Sequence, residues 1–120
     1  MSKVFVVPDV HLKPQMFEEA EKLLSKVPYD QVLLLGDLVD DWDQQDNLML
    51  YRKTLDEAAR FIRKYAALFC YGNHDVSYRW GMLESGYSYT ARYIVEDGLR
   101  EIERVADGGL FTYLGSSPGG

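Results

Sequence analysis

A single cysteine among 120 residues excludes a disulfide framework and a cysteine-based zinc site. With Cys70 alone, a reducing cytoplasm is the simplest setting. Histidine is almost as scarce: His11 and His74 are the only two, so any imidazole chemistry rests on them. No apolar run approaches the roughly 18 residues of a membrane span, and the chain starts straight into a strand pattern with no leader-like segment. Positive charge is also thin, with 13 Lys and Arg against 19 Asp and Glu and a net charge of −6. That balance counts against broad, backbone-driven nucleic-acid binding. It leaves a phosphate substrate open, because bound cations would invert the local sign. Behind Asp107 charge is absent altogether, and five of the ten glycines lie there.

The rest is an ordinary globular composition, 47% hydrophobic and 27% charged, in a length that suits one domain at most. Lys3–Val7 is a β-branched and aromatic run, and its consecutive apolar residues predict a strand buried on both faces. Pro14 suits the first turn of a helix. Phe17, Ala20, Leu24 and Val27 then recur at helical spacing until Pro28 ends the pattern. Gln31–Leu35 predicts a second buried strand. Leu48, Tyr51, Leu55, Ala58 or Ala59, Ile62 and Tyr65 mark a long amphipathic helix, and Ala66–Tyr71 a third strand. A β-α-β-α-β order implies parallel strands joined by right-handed crossovers. Val76–Tyr89, bent by Gly81 and Gly86, reads as an aromatic loop. A helix from about Tyr89 to Val105 follows, weakened by Gly98. Leu110–Leu114 is a candidate short strand, and Gly115–Gly120 reads as flexible.

Each predicted strand is followed by a short polar motif: Asp9-Val10-His11, Gly36-Asp37, and Gly72-Asn73-His74-Asp75. These place carboxylate, imidazole and amide groups at the carboxyl ends of three consecutive strands, the edge where open α/β sheets bind ligands. Oxygen and imidazole donors gathered there are what a pair of divalent ions requires. On an extended segment Asp9 and His11 point the same way and can share one ion. A turn aspartate and a surface histidine is the plainer account. Gly36 lets the backbone bend before Asp37, though Gly-Asp is common in turns. Asp40, Asp41 and Asp43 crowd the same loop, either as a solvated acidic loop or as charges that a cation would relieve. The third motif is the most specific, although Asn and Asp also serve ordinary turns. The plain accounts would have to coincide in three successive βα units, so together the motifs support a metal site.

Asp9-x-His11, Gly36-Asp37-x-x-Asp40 and Gly72-Asn73-His74-Asp75 resemble the first three signature motifs of the calcineurin-like metallophosphoesterase superfamily, over Lys3 to Asp75. The resemblance implies an α/β fold: the parallel βαβαβ half of an αββα sandwich, followed by a C-terminal helix and a Gly-rich tail. Residues 1–107 would be the N-terminal portion of a phosphoesterase domain, and 108–120 a flexible or non-native tail. By the same resemblance two ions of manganese, iron or zinc activate a water for hydrolysis of a phosphomonoester or phosphodiester. Asp9, His11 and Asp37 would bind the first ion, with Asp37 bridging to a second that Asn73 also holds. His74 would protonate the leaving oxygen, oriented by Asp40. Protein phosphatases of the family have arginine where this chain has Asp41, so a phosphate-gripping arginine is missing from that place; Arg79 and Arg52 are the nearby alternatives, each more simply a surface residue.

The family pattern continues with three more histidines, and this chain has none left to supply them. The charged helix giving way to a charge-free, glycine-rich end therefore reads as a truncation or shifted frame, with a short divergent protein as the competing account. Two functions stand against each other. One is a di-metal phosphoesterase with a phosphoester substrate. The other is an inactive remnant or binding half-domain, self-associating or partnered through an uncovered sheet. A phosphate- or nucleotide-binding protein that uses the strand-end loops without hydrolysis is weaker, since no glycine-rich phosphate cradle is present.

Overall fold

The computed structural model describes residues 3–8, 10–40, 44, 46–80, 88–106 and 110–112. In chain order these form β1 (Val4–Val7), α1 (Gln15–Leu24), β2 (Gln31–Leu34), α2 (Leu48–Tyr65), β3 (Leu68–Tyr71), α3 (Asn73–Trp80), α4 (Arg92–Ala106) and β4 (Leu110–Thr112). The four strands make one parallel sheet in the order β1-β2-β3-β4. Val7 lies level with Leu34, and Leu34 with Phe69, so the carboxyl ends of the first three strands share one edge. The α/β class and parallel half-fold expected from the sequence are what the chain adopts.

Among the described residues one sheet face is covered by helices and the other is left partly open. Val7, Val32, Leu34, Phe69 and Tyr71 are buried in a single core with Phe17, Ala20 and Leu24 of α1, Tyr51, Leu55 and Ile62 of α2, and Val95, Leu99 and Ile102 of α4. Their alternates are not: Val4 is 53% and Val6 43% exposed, while Leu33, Leu68 and Cys70 are half-buried. The continuous apolar runs predicted strands buried on both faces, and that expectation is corrected here. The period-2 geometry of a strand splits such a run between two faces, and helices cover only one.

The helices start and stop for local reasons. The Asn47 side chain accepts the Leu50 N–H at the start of α2 (3.2 Å), and Ala66, left-handed at φ +50°, ends it. β3 therefore begins at Leu68 rather than at Ala66. α1 stops at Leu24, so Val27 lies beyond it and is exposed. Phe17 of α1 meets Phe61 of α2 with ring centroids 5.4 Å apart. Gly98, a weak helix former, stands where a Cβ would lie 2.7 Å from Leu55 Cβ, so its bareness lets α4 close on α2.

A larger correction concerns the segment after β3. Residues 76–80, expected as the start of a loop, are the body of α3. Asp75 is the third residue of that helix and accepts the N–H of Gly72, the residue just before it, at 2.9 Å. This is the acidic half of a capping box, in which the side chain of the third helical residue takes the N–H just ahead of the helix. The rest of the expected aromatic loop up to residue 87 lies outside the described residues. Residues 110–112 pair with β3 as the expected short strand, and residues 113–120 lie outside the described residues.

Candidate functional site

The loops after β1, β2 and β3 meet at the shared sheet edge. His11 N–H donates to the Asp37 carbonyl and Leu12 N–H to the Leu38 carbonyl, each at 2.8 Å, which ties the first loop to the second. The second is tied to the third by Asp75. Its Oδ2 accepts the N–H groups of Asp37 (2.6 Å) and Gly72 (2.9 Å), and its Oδ1 accepts that of Leu38 (3.0 Å). The carboxyl group is fully buried, and burial pushes its pKa up to about 7 against the three donors and with the Asp37 charge. Two glycines permit the approach. A Cβ on Gly36, which has φ +69°, would lie 2.3 Å from the Cys70 carbonyl oxygen; one on Gly72 would lie 2.2 Å from Asp37 Oδ1.

Four side chains of two chemical kinds converge there, the imidazoles of His11 and His74 and the carboxylates of Asp37 and Asp40. Asp37 Oδ1 accepts the His74 backbone N–H at 2.9 Å, so a carboxylate sits at the amino end of α3, where the helix dipole favours negative charge. The rings of His11 and His74 lie edge to face with centroids 5.3 Å apart. His11 Nδ1 lies 3.1 Å from the Asp40 carbonyl and 3.2 Å from that of Val39. Both partners are acceptors only, so Nδ1 carries the proton and Nε2 presents its lone pair in the neutral ring. His74 Nδ1 lies 2.8 Å from Asp40 Oδ2, again with the proton on Nδ1. Asp40 is buried, while the His74 side chain keeps a fifth of its surface. Burial raises the Asp40 pKa, opposed by hydrogen bonds from Tyr78, His74 and Tyr51.

Backbone strain concentrates at this edge. Of the five described non-glycine residues with positive φ, four are His11 (+43°), Leu12 (+60°), Asp37 (+46°) and Asp40 (+73°). Each such residue costs on the order of 1–3 kcal/mol and persists where surrounding contacts hold it, a pattern typical of functional sites. It also corrects one expectation. His11 is in a left-handed turn and not on an extended segment, so alternation along a strand does not set its direction.

The sequence-predicted residues thus fall into two groups. His11, Asp37, Asp40 and His74 are brought together. Asp9 lies outside the described residues, as do Asp41 and Asp43, and Asn73 opens α3 with its side chain outside the described set. Among the described residues no group of three or more His, Cys, Asp or Glu side chains forms a complete cation cage. The donor chemistry is of the kind a metal uses: the His11 imidazole has its far nitrogen held by two carbonyls, as metal-binding histidines commonly are, and its loop is bonded to the one that carries the Asp37 carboxylate. Arg79 makes a two-point ion pair with Glu103 of α4 (2.8 and 3.3 Å), which holds it to that helix. Asp75 was singled out from sequence as the carboxylate of the third motif, but its role in tying the three loops together was not legible. Two residues were missed: Tyr51 read as helix core and Tyr78 as part of an aromatic loop, and neither position signals a bond to Asp40.

The chain matches the family model for calcineurin-like phosphoesterases over residues 2–118 and belongs to that family. A phosphoesterase function and metal binding follow at that general level. No curated protein and no solved structure gives a match. No helix among the described residues is long and apolar enough to cross a membrane.

Proposed function

We propose that this chain carries the acid-side half of a metal-dependent phosphoesterase site, acting on a phosphomonoester or phosphodiester. His11 and Asp37 would hold metal, with Asp9 and Asn73 completing the donors and Asp37 shared between two ions. Ions of the manganese, iron or zinc kind, when bound, supply positive charge that clamps a phosphate group and acidifies water. The chain's own residues do the rest. His74, partly exposed and held through Nδ1 by Asp40, delivers a proton from Nε2 to the departing alkoxide oxygen. Asp40 keeps the ring in that orientation. The observation that carries this reading is the meeting of His11, Asp37 and His74 at the ends of three successive strands. A cytoplasmic setting belongs to the same proposal and rests on the lone cysteine.

A second reading is favoured by one specific observation. The open sheet face carries Val4, Val6, Leu33 and Leu68, and the chain has only two histidines. On that account the chain is a binding half-domain that pairs with another chain or itself. Metal-dependent turnover of p-nitrophenyl phosphate separates the two. The hydrolytic reading expects turnover that rises with added metal. In that case Asp37→Ala loses metal and activity together, while His74→Ala loses about 100-fold or more in turnover and keeps its metal. Equal metal loss in both variants would make His74 a ligand instead of the acid. No turnover at saturating metal would leave the half-domain reading standing.

A further inference from the structure

We infer that Tyr51 and Tyr78 are positioning residues for His74, acting through opposite loading of the two oxygens of Asp40. The inference rests on the hydrolytic reading above for its consequence, though its geometry does not. Asp40 stands at φ +73° with its side chain buried, so its carboxylate has no water to fix its rotation. The protein supplies the fixing instead. Tyr51 of α2 and Tyr78 of α3 both donate their hydroxyls to Oδ1, Tyr51 at 3.3 Å and Tyr78 in a short contact. Oδ2 faces His74 Nδ1 at 2.8 Å.

The direction of the Tyr78 bond is set from outside. Its oxygen accepts the backbone N–H of Ser88 at 2.7 Å, so its own proton is turned toward Asp40. Ser88 is in turn held by its side chain, which accepts the Ala91 N–H at 3.2 Å at the approach to α4. Both tyrosines are buried. A carboxylate saturated on one oxygen can accept His74 on the other in one orientation only, and this selects the Nδ1–H form of the ring. That form leaves Nε2 to hold the proton that an acid catalyst must deliver. Without the two hydroxyls the carboxylate can swing, and the ring is free to take its solution tautomers.

The test is nitrogen-15 NMR of the two imidazoles in the metal-free chain at about pH 9, above the ordinary imidazole range. His74→Ala assigns the pair of signals. The expected result is a predominantly Nδ1–H His74 in the wild type. It should shift toward a mixture of both tautomers in Tyr78→Phe and in Tyr51→Phe, and furthest in the double variant. Tyr71→Phe, another buried tyrosine on β3, serves as the control and should leave the signal unmoved. Where turnover is present, the same variants should lose about tenfold or more on phenyl phosphate, whose leaving oxygen needs a proton. They should lose little on 2,4-dinitrophenyl phosphate, whose leaving group does not. A folded double variant with wild-type His74 tautomer signals would overturn the inference, as would an equal shift in Tyr71→Phe. A wild-type Nδ1–H signature without any turnover would instead defeat the hydrolytic reading and leave the positioning role intact.

Discussion

Gly36 and Gly72 stand where two strand ends come so close that a Cβ on either would enter its neighbour. At Gly72 the obstacle is Asp37 itself, with Oδ1 at 2.2 Å and the backbone nitrogen at 2.7 Å. Gly72→Ala should therefore displace the carboxylate proposed to hold metal. Overpacking of this kind costs about 1–3 kcal/mol. The expected outcome is a lower urea midpoint together with weaker metal binding by calorimetry, whereas an unchanged metal affinity would mean Asp37 is not a ligand. Asp75 gives a second test at this scale. Burial raises its pKa to about 7 from an ordinary 3.8, so between those values the native chain keeps a proton that the unfolded chain releases. Its stabilising contribution is fully present below about pH 4 and declines as pH rises toward 7. Urea unfolding of the metal-free chain should show that decline, and Asp75→Asn should flatten it.

Among elements, the packing of α4 on α2 turns on one position. Alanine at Gly98 would gain about 1 kcal/mol in helix propensity, but its Cβ would press on Leu55 at 2.7 Å. Overlap with both Cβ and Cδ1 of a buried leucine wins, so Gly98→Ala should destabilise the fold. Leu55→Ala in the same chain should recover part of that loss, a positive coupling in a double-mutant cycle. Additive effects would show that the two helices do not meet there. α3 illustrates a different dependence. It is eight residues long, too short to be stable alone, and its amino end is closed by Asp75 from within and by Asp37 from the loop after β2. The helix and the site are therefore one construction, and weakening either Asp should loosen both.

For the whole molecule, the covered and the partly open sheet faces carry similar side chains and differ, among the described residues, in the helices that lie over them. An apolar sheet face left to water favours association, and the exposed Val4 and Val6 lie on the β1 edge of the sheet. The chain should associate with itself in a concentration-dependent way by sedimentation. Val4→Lys with Val6→Lys should shift it toward monomer while circular dichroism stays unchanged, since neither residue belongs to the core. Undiminished association in that variant would place the contact elsewhere.

Much of this protein was legible in its sequence. Apolar period and proline punctuation determined three helices and three strands, because those signals act between residues a few positions apart. The same local order put His11, Asp37 and His74 behind three strand ends, and parallel connectivity then brings such ends to one edge. Contacts between distant residues had no such signature. Asp75 binds the backbone of Asp37 and Leu38, and two tyrosines from separate helices load one oxygen of Asp40. Nothing in a run such as Val4–Val7 tells which alternate side chains will find a helix above them; that depends on which side of the sheet the crossovers pass. Composition and period determine that a residue is apolar enough to bury, and the tertiary structure alone decided which residues were buried.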